Sequence, residues 1–215
     1  LSHAKPVEHR PGGAAAQRSA AWRLFAYALV TAVVFECVVM IATGGNAVLL
    51  GREYGPVECF QFVLALLAGG VLLAAARSGE RMAAILTIAA LAAWFAAARE
   101  ADRFFADLLF SDANKIVMTA LAAVAALVAM KRRSRVVHEL AILMETPGFQ
   151  FLFVGWLVVV VYAQIIGQQE LWKAVMGESY LRDAKNTLEE LPELFGYLLL
   201  MFGAVEAWIL ERSVK

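Results

Sequence analysis

Apolar and polar residues follow one another along this chain in long blocks. Six apolar runs, at about residues 20–42, 57–76, 82–98, 115–130, 149–167 and 190–210, stand between polar stretches. Each is close to the ~20 residues that an α-helix needs to cross ~30 Å of hydrocarbon. Runs of this length that reserve no face for water are helices surrounded by lipid or by other helices. The pattern predicts an all-α integral membrane protein, a six-transmembrane-helix bundle over residues 20–212. Residues 1–19, with Gly-Gly and two prolines, predict a flexible tail, and 213–215 a short end. The third and fourth runs are short and Ala-rich, which predicts that both pack inside the bundle, where small side chains allow close approach. READRFFADLLFSDANK (99–115) reads as interfacial. KRRSRVVHELAILMETPG (131–148) contains a short surface helix, and the fifth run extends through QQELWKAVM.

Composition agrees with the pattern. The 215 residues are 61% apolar, against ~45–50% for a soluble domain, and mean hydropathy is +0.68. Nineteen bases balance nineteen acids, so the net charge gives no sign of a nucleic-acid partner. Their distribution says more. With the N-terminus inside, the inner segments hold 12 Lys and Arg and the outer segments 7. KRRSR (131–135) is the strongest inside signal and a contact for anionic lipid. Six crossings then leave both termini in the cytoplasm. The first run carries Glu36 and no A-x-A site follows it, so it reads as a retained helix and not as a cleaved signal peptide. On the same map 12 acids lie on the outward side, while Glu36 and Glu206 lie within the membrane.

The candidate chemistry gathers at the outer helix ends. Glu58 opens the second helix, with Gln61 one turn deeper. Arg99, Glu100 and Asp102 close the third, Arg99 and Asp102 at the i,i+3 spacing of an ion pair. Lys115 opens the fourth. Gln164 and Gln168 form an i,i+4 stripe at the end of the fifth. Lys185, Glu189 and Glu193 form a ladder into the sixth, beside Glu190. Glu36 lies about a turn short of the outer end of the first. The plainer alternative is that acids at helix starts answer the helix dipole. It covers Glu58, Asp112, Glu189 and Glu190, but not Glu36, Gln164 or the Arg99/Glu100 pair. Ionisable residues inside a membrane normally face a bundle interior or a wet cavity. These groups are therefore expected to line a periplasm-facing cleft that binds a lipid headgroup or small polar ligand.

Other chemistries fit less well. Haem needs an axial ligand such as His within the bundle, but His3, His9 and His138 all lie outside the six runs. Cys37 and Cys59 are too few for a disulfide framework and wrongly spaced for a zinc ribbon. They read as small buried side chains. No cofactor is expected, although a carboxylate cluster would suit a hard divalent cation. Trp94, Trp156 and Trp208 read as packing residues. Glu206, about a turn from the inner end of its helix, either snorkels to the surface or meets a polar partner.

"READRFF…SDANKI" (99–116) and "EELPELFGYLLLMFGAVE" (189–206) resemble paired signatures in uncharacterised small polytopic inner-membrane proteins of bacteria. Those proteins carry an R-E-x-D run, a D/N-x-x-K-I at a helix start and E-E-x-x-E-L-x-G-Y in a late helix. The resemblance covers about 35 residues. It implies a bacterial inner membrane and implies that Arg99, Glu100, Asp102, Lys115, Glu189, Glu190 and Glu193 belong together. It implies no reaction. A His often follows the first run in those proteins, and here Phe104 takes its place.

Three functions follow as expectations. The first is a non-enzymatic binding protein, an accessory subunit of a membrane complex with membrane lipids and other subunits as partners. The second is a membrane-embedded hydrolase or transferase acting on a lipid-linked substrate, with Glu58, Glu100, Asp102, Glu189 and Glu190 as candidate catalytic carboxylates. The third is a proton- or ion-coupled transporter, less favoured because no inverted repeat is visible.

Overall fold

A computed structural model describes residues 12–46, 49–51, 55–108, 110 and 112–213, without the side chains of residues 12–17 and Arg103. It is 91% helix, with no strand among the described residues. Among the described residues six helices are long and apolar enough to cross a membrane. The chain forms two units, Leu1–Met40 and Ile41–Lys215, each described by itself.

The first unit is α1 (Gly12–Ile41). It begins within the stretch whose Gly-Gly predicts a tail. Residues 1–11 of that tail lie outside the described residues. Inside α1 the Thr31 hydroxyl donates to the Tyr27 carbonyl, 2.9 Å away, so it needs no water.

The second unit opens with a π-helical turn over Ala42–Asn46, where Gly45 takes φ 82°. α2 (Pro56–Ser78) starts on Pro56, whose missing N–H is no loss at a helix start. α3 (Ala83–Glu100) returns beside it, followed by α4 (Asp102–Leu108), α5 (Ala113–Lys131) and α6 (Arg133–Met144). Thr146 caps α7 (Pro147–Leu157) by accepting from Phe149 N at 3.2 Å. The same span continues through a π-helical stretch, Val158–Tyr162, into α8 (Ala163–Ile166). The expected extension of this helix is a separate α9 (Gln169–Met176), broken off at Gly167 and Gln168. α10 (Arg182–Ser213) has 32 residues and carries Pro192 inside it. It starts eight residues before the apolar run does, because its first turns are polar.

Neighbour relations place the helices in the order α5, α3, α2, α10, α7. Small residues set this order. α2 buries Ala65, Ala68, Leu72 and Ala75, and α3 buries Leu86, Ala90, Ala93 and Ala97. Both stripes alternate steps of three and four, so each lies on one helix face. Trp94 of α3 lies across Gly69 of α2, 2.4 Å from where a Cβ would be, and its indole N–H donates to the Leu66 carbonyl at 3.1 Å. α7 meets α10 through two glycine pairs. A Cβ on Gly155 would stand 2.9 Å from the Gly196 carbonyl oxygen, and one on Gly203 would stand 3.0 Å from that of Gly148. Each pair is seven residues apart along its helix and the helices run antiparallel, so backbone meets backbone at two levels.

α5 departs from expectation. It buries only Ala113, while α3, of similar composition, buries eight of its 18 residues. Alanine permits close approach but does not choose the neighbour. Within the second unit α5 packs mainly against one flank of α3.

A second polar cluster closes the bundle end opposite the α3 C-terminus. Glu139 of α6 accepts from the N–H groups of Ala84 and Ile85 at 2.7 and 2.8 Å, capping α3 from another helix. Arg135 holds the other Glu139 oxygen at 2.5 Å and reaches the Glu80 carbonyl at 2.6 Å. Glu211 is buried against Gly79 of the α2–α3 turn. Glu206 does not snorkel. It is buried, with its Cβ 3.5 Å from the position a Gly148 Cβ would take. The guanidinium of Arg212 covers the ring of Trp208 at 4.4 Å.

Candidate functional site

At the other end, the antiparallel course of α2, α3, α8 and α10 brings the start of α2, the end of α3, α8 and the N-terminal half of α10 to one level. On α10, Glu190, Glu193 and Tyr197 follow at steps of three and four, and so share a face. Pro192 lies between the two acids. It supplies no N–H to the carbonyl four residues back, and backbone groups loosened in a membrane need partners from neighbouring helices. Gln61 of α2 lies against the first of the two acids. Its amide donates to the Glu190 carbonyl at 2.9 Å and to Glu190 Oε2 at 3.0 Å.

Arg99 joins the remaining groups. Its Nε and Nη2 donate to Glu100 Oε1 at 3.0 and 2.7 Å, and Nη2 also reaches Glu193 Oε1 at 3.0 Å. Tyr197, fully buried, donates its hydroxyl to the same Glu100 oxygen at 2.7 Å. Gln164 of α8 donates to Glu193 Oε1 at 2.9 Å. Every donor therefore falls on one oxygen of each carboxyl. The second oxygens of Glu100, Glu190 and Glu193 accept from nothing among the described residues. Gln61 is fully buried, and its Oε1 also has no donor. Two carboxyls, those of Glu100 and Glu193, share the Arg99 guanidinium, and Glu190 is held by the Gln61 amide.

Glycines let the polar groups approach. Gly167 gives way to the Glu189 carboxylate, which lies 2.3 Å from its Cβ position. Lys185 holds that carboxylate from one turn away, at 2.5 Å. Gly51 lies against Asn186 and Thr187, and Asn186 donates to its carbonyl at 3.2 Å. Beside Glu100 opens a crevice of about 260 Å³ between α2 and the α3–α4 junction. Its walls are Cys59, Phe62, Val63, Ala101 and Phe104, with Glu58 and Glu100 as charged lining.

Of the residues singled out from sequence, Arg99, Glu100, Gln164 and Glu193 form one network, and Gln61 and Glu190 form a pair at the same end of the bundle. Glu58 lines the crevice beside it, and Glu189 pairs with Lys185 at its edge. Asp102 begins α4 and is exposed; Arg99 pairs with Glu100 and Glu193 in its place, because the neighbouring helix offers a buried carboxylate. Lys115 forms an exposed pair with Asp112 at 2.7 Å and does not join the network. Gln168 stands just before α9 in extended conformation, so the expected Gln164/Gln168 stripe is broken. Glu36 lies on α1, in the first unit. Cys37 and Cys59 are free thiols, and both are exposed, not buried as expected, Cys59 at the crevice. Among the described residues no three His, Cys, Asp or Glu side chains are grouped to hold a metal ion. Sequence reasoning missed Tyr197. Its signal was the i,i+4 step from Glu193, which puts the hydroxyl on the acidic face.

No protein-family model, curated protein or solved structure matches this chain.

Proposed function

We propose that the chain is a multi-pass membrane protein that binds a lipid headgroup or small polar ligand at the Arg99–Glu193 end of its bundle, opening toward the periplasm of a bacterial inner membrane. It acts there as a binding or accessory subunit of a larger membrane complex. One observation carries this reading. α3, α8 and α10 converge polar side chains on one network around Arg99 and Glu193, and beside it the fully buried Gln61 of α2 holds Glu190 with its own Oε1 left without a donor. Buried polar groups are normally paired. A polar cluster kept in an apolar bundle with a buried acceptor left open is suited to a ligand that brings a donor.

Native mass spectrometry of the full chain, released from nanodiscs made with a total bacterial lipid extract, tests this. The expected result is a stoichiometric bound lipid or polar molecule, lost in Glu193→Gln and Arg99→Gln. Wild-type protein that leaves the membrane with nothing bound would remove the reading. Turnover of the bound lipid during incubation would replace it with the hydrolase reading.

A further inference from the structure

The structure divides the basic run at the α5–α6 corner. Arg135 is engaged inside the protein, with Glu139 Oε1 at 2.5 Å and the Glu80 carbonyl at 2.6 Å. Lys131, Arg132 and Arg133 are exposed and pair with no group among the described residues. They line a hollow of about 450 Å³, and none of its lining residues is acidic. That volume falls within the ~300–1,000 Å³ of ligand pockets. Glu139, the first acid of α6, is buried and already held by Arg135 and by the N–H groups of Ala84 and Ile85.

An apolar face continues from these cations along α6. Glu139 and Leu143 are its buried residues, while Val137, Leu140 and Met144 are 64%, 37% and 55% exposed. Steps of three and four put those three on one face, and Arg133 lies one turn before Val137 on it. Lys131 is the last residue of one candidate membrane span, and the next begins at Pro147, so the corner stands at the level of the headgroups. Cations followed by an exposed apolar stripe describe a helix lying in that interface. α6 also begins without a side-chain cap, and a phosphate oxygen there would meet the positive end of the helix dipole. A soluble anion would leave the apolar stripe bare. A zwitterionic headgroup would bring a cation of its own against three others. A phospholipid with net negative charge answers both the cations and the stripe.

From this charge complementarity we infer that the α5–α6 corner is a site for an anionic phospholipid, held through its phosphate by Lys131, Arg132 and Arg133, with an acyl chain along Val137, Leu140 and Met144. The site is separate from the ligand proposed above, which lies at the other end of the bundle. Arg135 has a structural role and takes no part in it.

The test uses the full chain in neutral detergent micelles supplied with equimolar phosphatidylglycerol and phosphatidylcholine, the retained lipids being counted by native mass spectrometry. Micelles make the result independent of the direction of insertion, which these bases help to set. Wild-type chain should retain the glycerol lipid more than about tenfold over the choline lipid. Arg132→Gln and Arg133→Gln should each lower that ratio about fivefold, the effect of one cation near a lipid surface. The triple variant Lys131→Gln/Arg132→Gln/Arg133→Gln should bring it close to one. Arg77→Gln removes an exposed base from the last turn of α2 and should leave the ratio unchanged. Val137→Asn/Met144→Asn should lower retention of the glycerol lipid by removing its apolar track. A wild-type ratio near one overturns the inference and leaves the corner to an acidic partner protein. A preference that survives the triple variant, or falls equally in Arg77→Gln, also overturns it, because the charge then acts elsewhere or diffusely. Retention indifferent to Val137→Asn/Met144→Asn but displaced by inorganic phosphate overturns the lipid assignment in favour of a soluble phosphate. Glu193→Gln, which empties the site at the other end, should leave the ratio unchanged, so either site can fail without the other.

Discussion

Gly155→Ala gives the sharpest test of what holds α7 to α10. In an exposed helix interior this exchange stabilises by about 1 kcal/mol, because alanine loses less backbone entropy than glycine. At Gly155 the new methyl would stand 2.9 Å from the Gly196 carbonyl oxygen and 3.0 Å from Leu200 N. Both are backbone atoms of α10, and a helix backbone cannot turn aside as a side chain can. The helices must move apart along their whole contact, an overpacking term of about 1–3 kcal/mol. Loss of neighbouring dispersion contacts adds to it. The net expectation is destabilisation of roughly 1–2 kcal/mol. Gly70→Ala is the control. Gly70 lies within α2 and a Cβ there meets nothing within 4 Å, so the same exchange should stabilise by up to about 1 kcal/mol. Equilibrium unfolding in mixed micelles, followed by far-UV circular dichroism during an SDS titration, would separate the two variants by roughly 2–3 kcal/mol with opposite signs. Gly155→Ala at or above wild-type stability would refute backbone contact as the reason α7 and α10 associate.

Further expectations concern the two polar clusters. Tyr197→Phe removes the hydroxyl donated to Glu100 and should destabilise by about 1.5–3 kcal/mol, the range of a hydrogen bond to a charged group; the same unfolding titration reads it. Arg99→Met leaves Glu100 and Glu193 without their shared cation and should cost on the order of 3 kcal/mol. The double variant Arg99→Met/Glu193→Met should recover part of that loss, and no recovery would mean that the two residues are not coupled. Glu139→Ala leaves the first N–H groups of α3 uncapped, with an expected loss of about 1–3 kcal/mol; hydrogen exchange at Ala84 and Ile85 should accelerate ahead of the rest of α3. Lys115→Gln, by contrast, should leave both the unfolding midpoint and any bound ligand unchanged, since its pair with Asp112 is exposed.

Sequence alone determined the helical class and the six candidate crossings, because hydropathy over ~20 residues depends on composition and not on neighbours. It also located the end of the bundle where polar groups gather, since Glu58, Arg99, Gln164 and Glu193 all sit near the ends of apolar runs that alternate in direction. Partner choice belonged to the tertiary structure. The i,i+3 spacing of Arg99 and Asp102 suggested a local pair, but α10 brings Glu193 within 3.0 Å of the guanidinium. Lys115 and Gln61 both stood near helix starts, yet Gln61 meets Glu190 of α10 and Lys115 is exposed with Asp112. Two Ala-rich helices looked alike, and only α3 is enclosed. In lipid every apolar face is acceptable to the solvent, so hydrophobicity cannot select which faces meet. That selection falls to the glycines and alanines of α2, α3, α7 and α10, whose close approach is visible only when the helices are set side by side.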